Sequence, residues 1–188
     1  GSNFAGMAFP FIGEFLRGGK KVDILGVEPA ACPSLTKGRY AYDYGDVAKQ
    51  TPLIKMYTLG SSFIPPAVHA GGLRYHGMAP QISNVASHGL MRARTVQQLD
   101  VFRDAIAFAR AEGIIPAPES SHAITAAMDE ARACRETGEA RTILFNLSGH
   151  GHLDMSAYTD YLAGKLKNYD YPEEEIAMAL SGLPVCEG

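Results

Sequence analysis

The chain has 188 residues, of which 46% are hydrophobic and 20% charged, proportions typical of a globular domain with its own core. Its formal net charge of −3, without a basic run, gives no reason to expect nucleic acid or an anionic membrane as a partner. No apolar stretch reaches transmembrane length, and no secretory signal is visible. The odd, widely spaced cysteines Cys32, Cys134 and Cys186 predict reduced thiols in the cytoplasm rather than disulfides or a zinc site.

The first third of the chain predicts a helix followed by a buried strand. Residues 4–17 have helical character, although Pro10 must kink or divide the helix, and two glycines end it. The continuous apolar run VDILGVEP, residues 22–29, is typical of a buried parallel strand. Residues 30–52 are expected to be irregular, and LIKMYTLG, residues 53–60, is expected to be a strand.

Helices dominate the middle of the chain. Residues 60–92 are rich in Gly, Pro and Ser and lack periodicity, which in a compact domain is often a sign of function. Thr95 and Gln98 form a capping-box pattern at the start of a helix that Gly113 ends. A second helix carries an apolar stripe on which Cys134 is expected to pack into the core.

The last part of the chain returns to a strand. TILFNL, residues 142–147, predicts a strand, followed by a helix over residues 156–167 and another after Pro172. Residues 113–117 predict a strand or a turn. Strands that alternate with helices indicate an α/β fold with three layers and a mainly parallel sheet, in which ligands bind at the carboxyl ends of strands.

The stretch NLSGHGHLD lies at such an end. His150, His152 and Asp154 have the alternating spacing of metal ligands, but the flanking glycines indicate a tight turn, and no other His/Cys cluster supplies further ligands. Ser148 lacks the G-x-S-x-G context of a hydrolase nucleophile. The sequence therefore leaves a metal site and a ligand-binding turn open here.

Three further stretches carry candidate residues. Glu119 precedes a helix, where a carboxylate is favoured either as a cap or as a functional group. Arg74, in HAGGLRYHGMAP, is suited to bidentate binding of a carboxylate or phosphate, but is equally compatible with an ordinary surface arginine. GSN, residues 1–3, resembles an anion site at a helix N-terminus, although three residues alone also fit a cloning remnant.

Five segments occur here in the order found in the tryptophan synthase beta chain family: GSNFAG, GVEP, GLRYHG, PAPESSHA and NLSGHGH. They most resemble the second type of that chain, and the resemblance covers nearly all of residues 1–188. It implies that these residues form the C-terminal, cofactor-holding portion of a fold type II enzyme that depends on pyridoxal 5′-phosphate. Such an enzyme makes L-tryptophan from indole and a serine-type donor, either L-serine or O-phosphoserine.

The resemblance also implies roles for single residues. Gly1, Ser2 and Asn3 match the end of the loop that binds the cofactor's phosphate. Ser148 matches the residue that hydrogen-bonds the pyridine nitrogen, and Glu119 matches a catalytic carboxylate beside the cofactor's phenolic oxygen. A neutral hydroxyl does not hold a proton on that nitrogen as a carboxylate would, and this favours β-replacement over transamination.

The loop around Arg74 is implied to serve both a cation and the donor. Backbone carbonyls near Leu73, Tyr75 and Gly77 match part of a site for a monovalent cation, Na⁺ or K⁺. Arg74 stands where the better-known beta chain has an aspartate that contacts the donor's hydroxyl. Replacing an acid by a base is expected to change donor preference, and our hypothesis is that Arg74 pairs with the phosphate of O-phosphoserine.

By the same resemblance, several catalytic parts are expected upstream of this chain. They are the lysine that forms the Schiff base, a glutamate near it and the first glycines of the phosphate loop. We therefore expect the chain to be about the C-terminal half of an enzyme, inactive alone and homodimeric when complete, with pairing to an alpha subunit left open. The alternatives are another fold type II enzyme such as a threonine-synthase-like one, a non-catalytic module that binds a small anion, and a metal-binding domain.

Overall fold

The computed structural model describes residues 1–185, and Cys186 lies outside the described residues. No helix within that range is long and apolar enough to cross a membrane. A short 3₁₀ turn covers Gly71–Leu73. The helices and strands are α1 Ser2–Leu16, β1 Leu25–Pro29, α2 Ser34–Lys37, β2 Arg39–Tyr44, β3 Leu53–Thr58, α3 Pro80–Ser87, β4 Arg92–Val96, α4 Gln98–Glu112, α5 Pro118–Thr137, α6 Met155–Leu162 and α7 Glu173–Ser181.

The strands form two pairs of opposite kind. β1 pairs in parallel with β4, with Leu25 opposite Arg92 and Pro29 opposite Val96. β2 and β3 form an antiparallel pair, in which the rings of Tyr40 and Tyr57 stack. The parallel pair with helices between its strands confirms the predicted α/β class, and the antiparallel pair adds a feature that the sequence did not indicate.

The prediction that residues 30–52 are irregular is wrong, because α2 and β2 lie there. The carboxylate of Glu28, at the end of β1, accepts hydrogen bonds from the backbone N–H groups of Leu35 and Thr36, each 2.9 Å away. The hydroxyls of Ser34 and Thr36 donate to the same carboxylate. Burial raises the pKa of Glu28, and these four donors oppose that shift. A buried acid thus fixes the start of α2, and no local pattern reveals it.

Two local helix signals are misleading. α1 continues through Pro10, so that residue does not divide the helix. Thr95 lies inside β4, and α4 is capped instead from a distant segment, since the N–H of Leu99 donates to Asn168 Oδ1 at 2.9 Å. The capping-box prediction was therefore wrong. The prediction that Gly113 ends α4 is confirmed by its left-handed backbone, with φ of 72°.

The strand predicted over residues 142–147 is also absent from the described structure. Ile143 and Leu147 are each 37% exposed, and Leu144 is 65% exposed. A β-strand requires a neighbour that accepts and donates its backbone hydrogen bonds, and no described strand pairs with this segment. Pairing begins only after it, at an antiparallel bridge between Pro116 and His150. Likewise, the stretch 60–92, which lacks periodicity, contains α3.

Two apolar clusters hold these elements together. One joins the end of β1 and β3 to the C-terminal segment, where the rings of Phe63 and Tyr171 lie 4.4 Å apart. The other packs α4 against α6, where Phe102 meets the ring of Tyr158 edge to face. Cys32 is buried in the first cluster, whereas Cys134, expected in the core, is only partly buried on α5.

His122 is the buried titratable residue at the start of α5. It is 4% exposed, and its Nδ1 lies 2.8 Å from the carbonyl oxygen of Pro118. Burial lowers the pKa of His122 from 6.5 to about 4, because the charged imidazolium is poorly solvated there. The folded protein therefore keeps this histidine neutral at a pH where the unfolded chain protonates it.

We predict that the free energy of unfolding decreases as the pH falls from about 7 to about 4.5. In that window the unfolded chain binds a proton at His122 that the folded chain does not bind, which costs up to about 3 kcal/mol. His122→Gln should flatten this part of the profile in urea unfolding. His88→Gln is the matched control, since His88 Nδ1 also faces a carbonyl four residues earlier but the ring is exposed. Equal pH slopes for wild type and His122→Gln would contradict the prediction.

Candidate functional site

The carboxylate of Glu119 lies in the first turn of α5, where the helix dipole stabilises a negative charge. Its Oε1 accepts a hydrogen bond from the N–H of Gly72, 2.8 Å away. The chain passes close to it, since a Cβ on Gly72 would lie 3.3 Å from Glu119 Cγ. Oε2 accepts no hydrogen bond from any residue in the described range, so one carboxylate oxygen is available to a ligand.

The next residue of α5 holds the second candidate side chain in place. Ser120 is 2% exposed, and its hydroxyl lies 3.1 Å from that of Ser148, which is exposed. Ser120 also donates a long hydrogen bond of 3.5 Å to the carbonyl of Gly149. The first turn of α5 therefore places a carboxylate and a neutral hydroxyl pair side by side.

The glycines around His150 do not form the tight turn expected there. They flank the antiparallel bridge between His150 and Pro116, and a turn follows at residues 151–154, where the N–H of Asp154 donates to the carbonyl of Gly151 at 2.9 Å. The N–H of Ala117 donates to the carbonyl of Gly149 at 3.0 Å, and the N–H of Gly151 donates to the carbonyl of Ile115 at 2.8 Å. A Cβ on Gly151 would lie 2.4 Å from the carbonyl oxygen of Pro116, so a side chain there would collide with the backbone. Residues 149–151 are thus fixed against the residues that lead into α5.

The N-terminus of α1 lies against the same region. Asn146 Nδ2 donates to the carbonyl oxygen of Asn3 at 3.0 Å. A Cβ on Gly1 would lie 2.3 Å from Ile82 Cδ1 and 3.4 Å from Met78 Sδ and Ala79 Cβ, so the start of α1 packs closely against residues 78–82. No side chain in the described range caps α1, which leaves N–H groups of its first turn free for an anion.

These contacts link four segments that are distant in sequence into one closed circuit, which we call the ring. It consists of residues 1–3, 71–79, 119–120 and 146–149. The sequence-predicted residues Gly1, Asn3, Glu119 and Ser148 all lie on it. Three residues of the ring were missed by the sequence reasoning: Gly72, Ser120 and Asn146. All three lie inside the quoted stretches PAPESSHA, NLSGHGHLD and HAGGLRYHGMAP, but nothing local shows which of their residues make the contacts of the ring.

His150 and His152 do not form a recognisable metal site. Their rings lie 4.7 Å apart, centroid to centroid. Within residues 1–185, however, no group of three or more His, Cys, Asp or Glu side chains is placed to hold a metal ion. A zinc site needs at least three protein ligands, so this pair does not support the metal-binding interpretation.

Arg74 lies on the loop of the ring but points elsewhere in this structure. Its Nη2 donates to the carbonyl of Pro65 at 3.1 Å, and its Nε is buried without a hydrogen-bond partner in the described range. Burial raises the pKa of the Cys32 thiol to about 11, and the charge of Arg74 opposes that shift. No hydrogen bond joins Arg74 to Glu119 or Ser148 among the described residues.

The loop itself is fastened to the antiparallel pair. The N–H of Leu59 donates to the carbonyl of His76 at 2.7 Å, and the N–H of Met78 donates to the carbonyl of Tyr57 at 2.9 Å. His76 Nε2 lies 2.9 Å from the carbonyl of Tyr44. The carbonyls matched to the cation site belong to Leu73, Tyr75 and Gly77, and the last two of these residues flank His76. None of the three carbonyls accepts a hydrogen bond within residues 1–185.

Comparison with known proteins matches residues 1–149 to the family model described as pyridoxal-phosphate dependent enzyme. "Tryptophan synthase beta chain 2" of Methanosarcina acetivorans is 60% identical over 166 residues, which is 88% of this chain and 38% of that protein. The protein of the same name from Aquifex aeolicus is 59% identical over 169 residues, 88% of this chain and 39% of its own length. "Tryptophan synthase beta chain" of Pyrococcus horikoshii is 52% identical over 179 residues, 95% of this chain and 39% of its own length.

The chain thus spans about two fifths of the length of these relatives. The family match covers all four segments of the ring, from Gly1 to Gly149. Together with the parallel strand pair and the helix termini that meet at the ring, it establishes the family: the chain belongs to the pyridoxal-phosphate dependent enzymes and is similar in sequence to tryptophan synthase beta chains.

Proposed function

We propose that this chain holds the cofactor in a lyase that makes L-tryptophan from indole and a serine-type donor, and that further residues of the full-length protein complete it. The observation that carries the proposal is the ring, which brings the helix terminus at Gly1–Asn3 together with Glu119 and Ser148. These are an anion site, a carboxylate and a neutral hydroxyl, one for each polar part of pyridoxal phosphate.

Each of these residues suits a definite part of the cofactor. When bound, pyridoxal phosphate supplies an electron sink for the chemistry at the donor's α-carbon. The free N–H groups of the first turn of α1, at Ser2 and Asn3, would bind its phosphate. Glu119, held by the Gly72 N–H, would lie beside the phenolic oxygen.

Ser148 determines how strongly the pyridine ring withdraws electrons. A serine hydroxyl can share its own proton with the ring nitrogen, but it has no negative charge to stabilise a protonated nitrogen. The pyridine ring of the cofactor then withdraws electrons less strongly, which favours β-replacement over transamination. The buried Ser120 hydroxyl, 3.1 Å away, orients Ser148 for this contact.

The lysines support completion of the site by other parts of the protein. Several have partners outside the four segments of the ring. Lys37 pairs with Glu173, Lys165 pairs with Asp160, and Lys55 lies over the aromatic side chain of Tyr40. We therefore keep the proposal that the Schiff-base lysine comes from outside this chain and that the chain alone has no turnover. A homodimer, a cytoplasmic location and a monovalent cation on the three loop carbonyls remain parts of the same proposal.

The first test concerns Ser148 in the full-length protein. Ser148→Ala should reduce tryptophan formation by about tenfold, because one hydrogen bond to the reacting system is lost. Ser148→Asp should raise keto-acid formation relative to tryptophan, because a carboxylate holds a proton on the ring nitrogen. Both products are measured from indole and L-serine, with Ser181→Ala on α7 as the control. If neither Ser148 variant changes the rate or the product ratio, the assignment of Ser148 fails.

The same assay separates the proposal from its alternative. A threonine-synthase-like enzyme would form its product without indole, whereas the proposed lyase requires indole for product formation. A small-anion-binding module would bind phosphate or pyridoxal phosphate with no turnover in any full-length form.

The second test concerns the donor. We expect the full-length enzyme to use O-phosphoserine in preference to L-serine, because a guanidinium pairs bidentately with a phosphate, and Arg74 is held here by a single hydrogen bond among the described residues, to Pro65. Arg74→Ala should reduce the ratio of the two kcat/KM values by about tenfold or more, and Arg74→Lys should restore part of it. Arg110→Ala, on the exposed face of α4, is the matched control. An unchanged ratio in Arg74→Ala would refute a role of Arg74 in donor choice.

A further inference from the structure

A polar cleft lies on the other side of α5 from the ring, where β4 ends and α4 begins. It has a volume of about 250 Å³, roughly eight times the volume of one water molecule in the liquid. Seven polar side chains line it: Arg94, Thr95, Gln97, Asp100, Arg103, Thr125 and Asp129. None of the proposed catalytic roles involves these residues.

Two side chains that line this cleft each have a buried polar atom without a hydrogen-bond partner among the described residues. Thr125 is 2% exposed, and its Oγ1 has no partner. Gln97 Oε1 has none either, although the amide Nε2 of the same side chain donates to Asp170 Oδ1 at 2.6 Å. Because a carboxylate oxygen can only accept, that bond fixes the orientation of the amide and leaves its oxygen facing away from Asp170. Such atoms cost free energy unless a ligand or water satisfies them.

The positive and negative side chains that line the cleft are equal in number, and some of their hydrogen-bonding groups have no partner among the described residues. Arg94 Nη2 pairs with Asp129 Oδ2, which leaves its other N–H groups as donors. Arg103 is fully paired, through Nη1 with Asp100 Oδ1 and through Nε and Nη2 with Asp104, and the second oxygen of Asp100 is left as an acceptor. Asp129 is also fully paired, because its Oδ1 accepts from Arg132. The cleft therefore contains two positive and two negative side chains, with both donors and acceptors still free.

From this arrangement we infer a binding site for a free α-amino acid, distinct from the proposed catalytic site. A balanced cleft does not favour an ion of one sign, but a zwitterion matches both sets of groups. The ammonium group fits the acceptors Gln97 Oε1 and Asp100, and the carboxylate fits the donors Arg94 and Thr125. The volume admits an amino acid with a small side chain.

The site is connected to the ring through shared elements. Thr125 follows Ser120 on α5 by about one and a half helical turns. Gln98, next to Gln97, accepts a hydrogen bond of 2.8 Å from the N–H of His69, at the base of the loop that carries Arg74. An occupant of the cleft therefore contacts α5, which carries Glu119 and Ser120, without touching those two residues.

The test uses the full-length protein and L-alanine, which has no β-substituent to replace. We expect saturable binding in calorimetry and a rise in Tm with L-alanine, because a ligand that binds only the folded state stabilises it. Acetate and methylamine, which each carry half of the zwitterion, should bind at least about tenfold more weakly. No binding of L-alanine, or equal binding of acetate, would overturn the inference.

Variants assign the binding to the cleft. Thr125→Val should weaken L-alanine binding by about tenfold while raising the Tm of the ligand-free protein, because a methyl group replaces a buried hydroxyl without a partner. Arg94→Leu should weaken binding at least as much. Thr137→Val on α5 and Arg110→Leu on α4 are the matched controls and should leave binding unchanged. If L-alanine binds Thr125→Val and Arg94→Leu as tightly as the wild type, the binding belongs elsewhere and the inference fails.

Discussion

The contact on which the site depends is the antiparallel bridge that joins residues 149–151 to the segment leading into α5. Two backbone hydrogen bonds, to Ile115 and from Ala117, form this bridge, and the collision that a Cβ on Gly151 would make explains why a glycine stands there. Because the bridge fixes this segment, the Ser148 hydroxyl meets that of Ser120, next to Glu119. The other contacts of the ring extend this junction to the loop at Gly72 and to the N-terminus of α1.

The sequence predicted helix ends that depend on residues adjacent in the chain. It missed helix starts that depend on side chains distant in the chain. The end of α4 at Gly113 followed from glycine's access to left-handed backbone, which is a local property. The start of α2 depends on the buried Glu28, and that of α4 on Asn168, which no local pattern reveals. The segment 142–147 has a strand's composition without a described neighbouring strand, and composition alone does not supply one.

The candidate site, too, depends on contacts between residues that are distant in the chain. Glu119 and Ser148 were identified only because whole motifs resemble a family, since each residue alone has an ordinary structural explanation. Geometry then added what similarity does not give, namely the buried Ser120 beside Ser148 and the second polar cleft on α5 around Thr125. In this protein α5 thus serves two polar regions, one in its first turn and one further along, and the buried, neutral His122 lies between them.

The most direct test of the central claim is a crystal structure of the full-length protein with pyridoxal phosphate bound. The ring predicts the Ser148 hydroxyl within hydrogen-bond distance of the pyridine nitrogen. It also predicts the phosphate on the backbone N–H groups of Ser2 and Asn3, and Glu119 beside the phenolic oxygen. A pyridine nitrogen paired with a carboxylate, or a phosphate bound away from the start of α1, would contradict the assignment of the ring as the cofactor site.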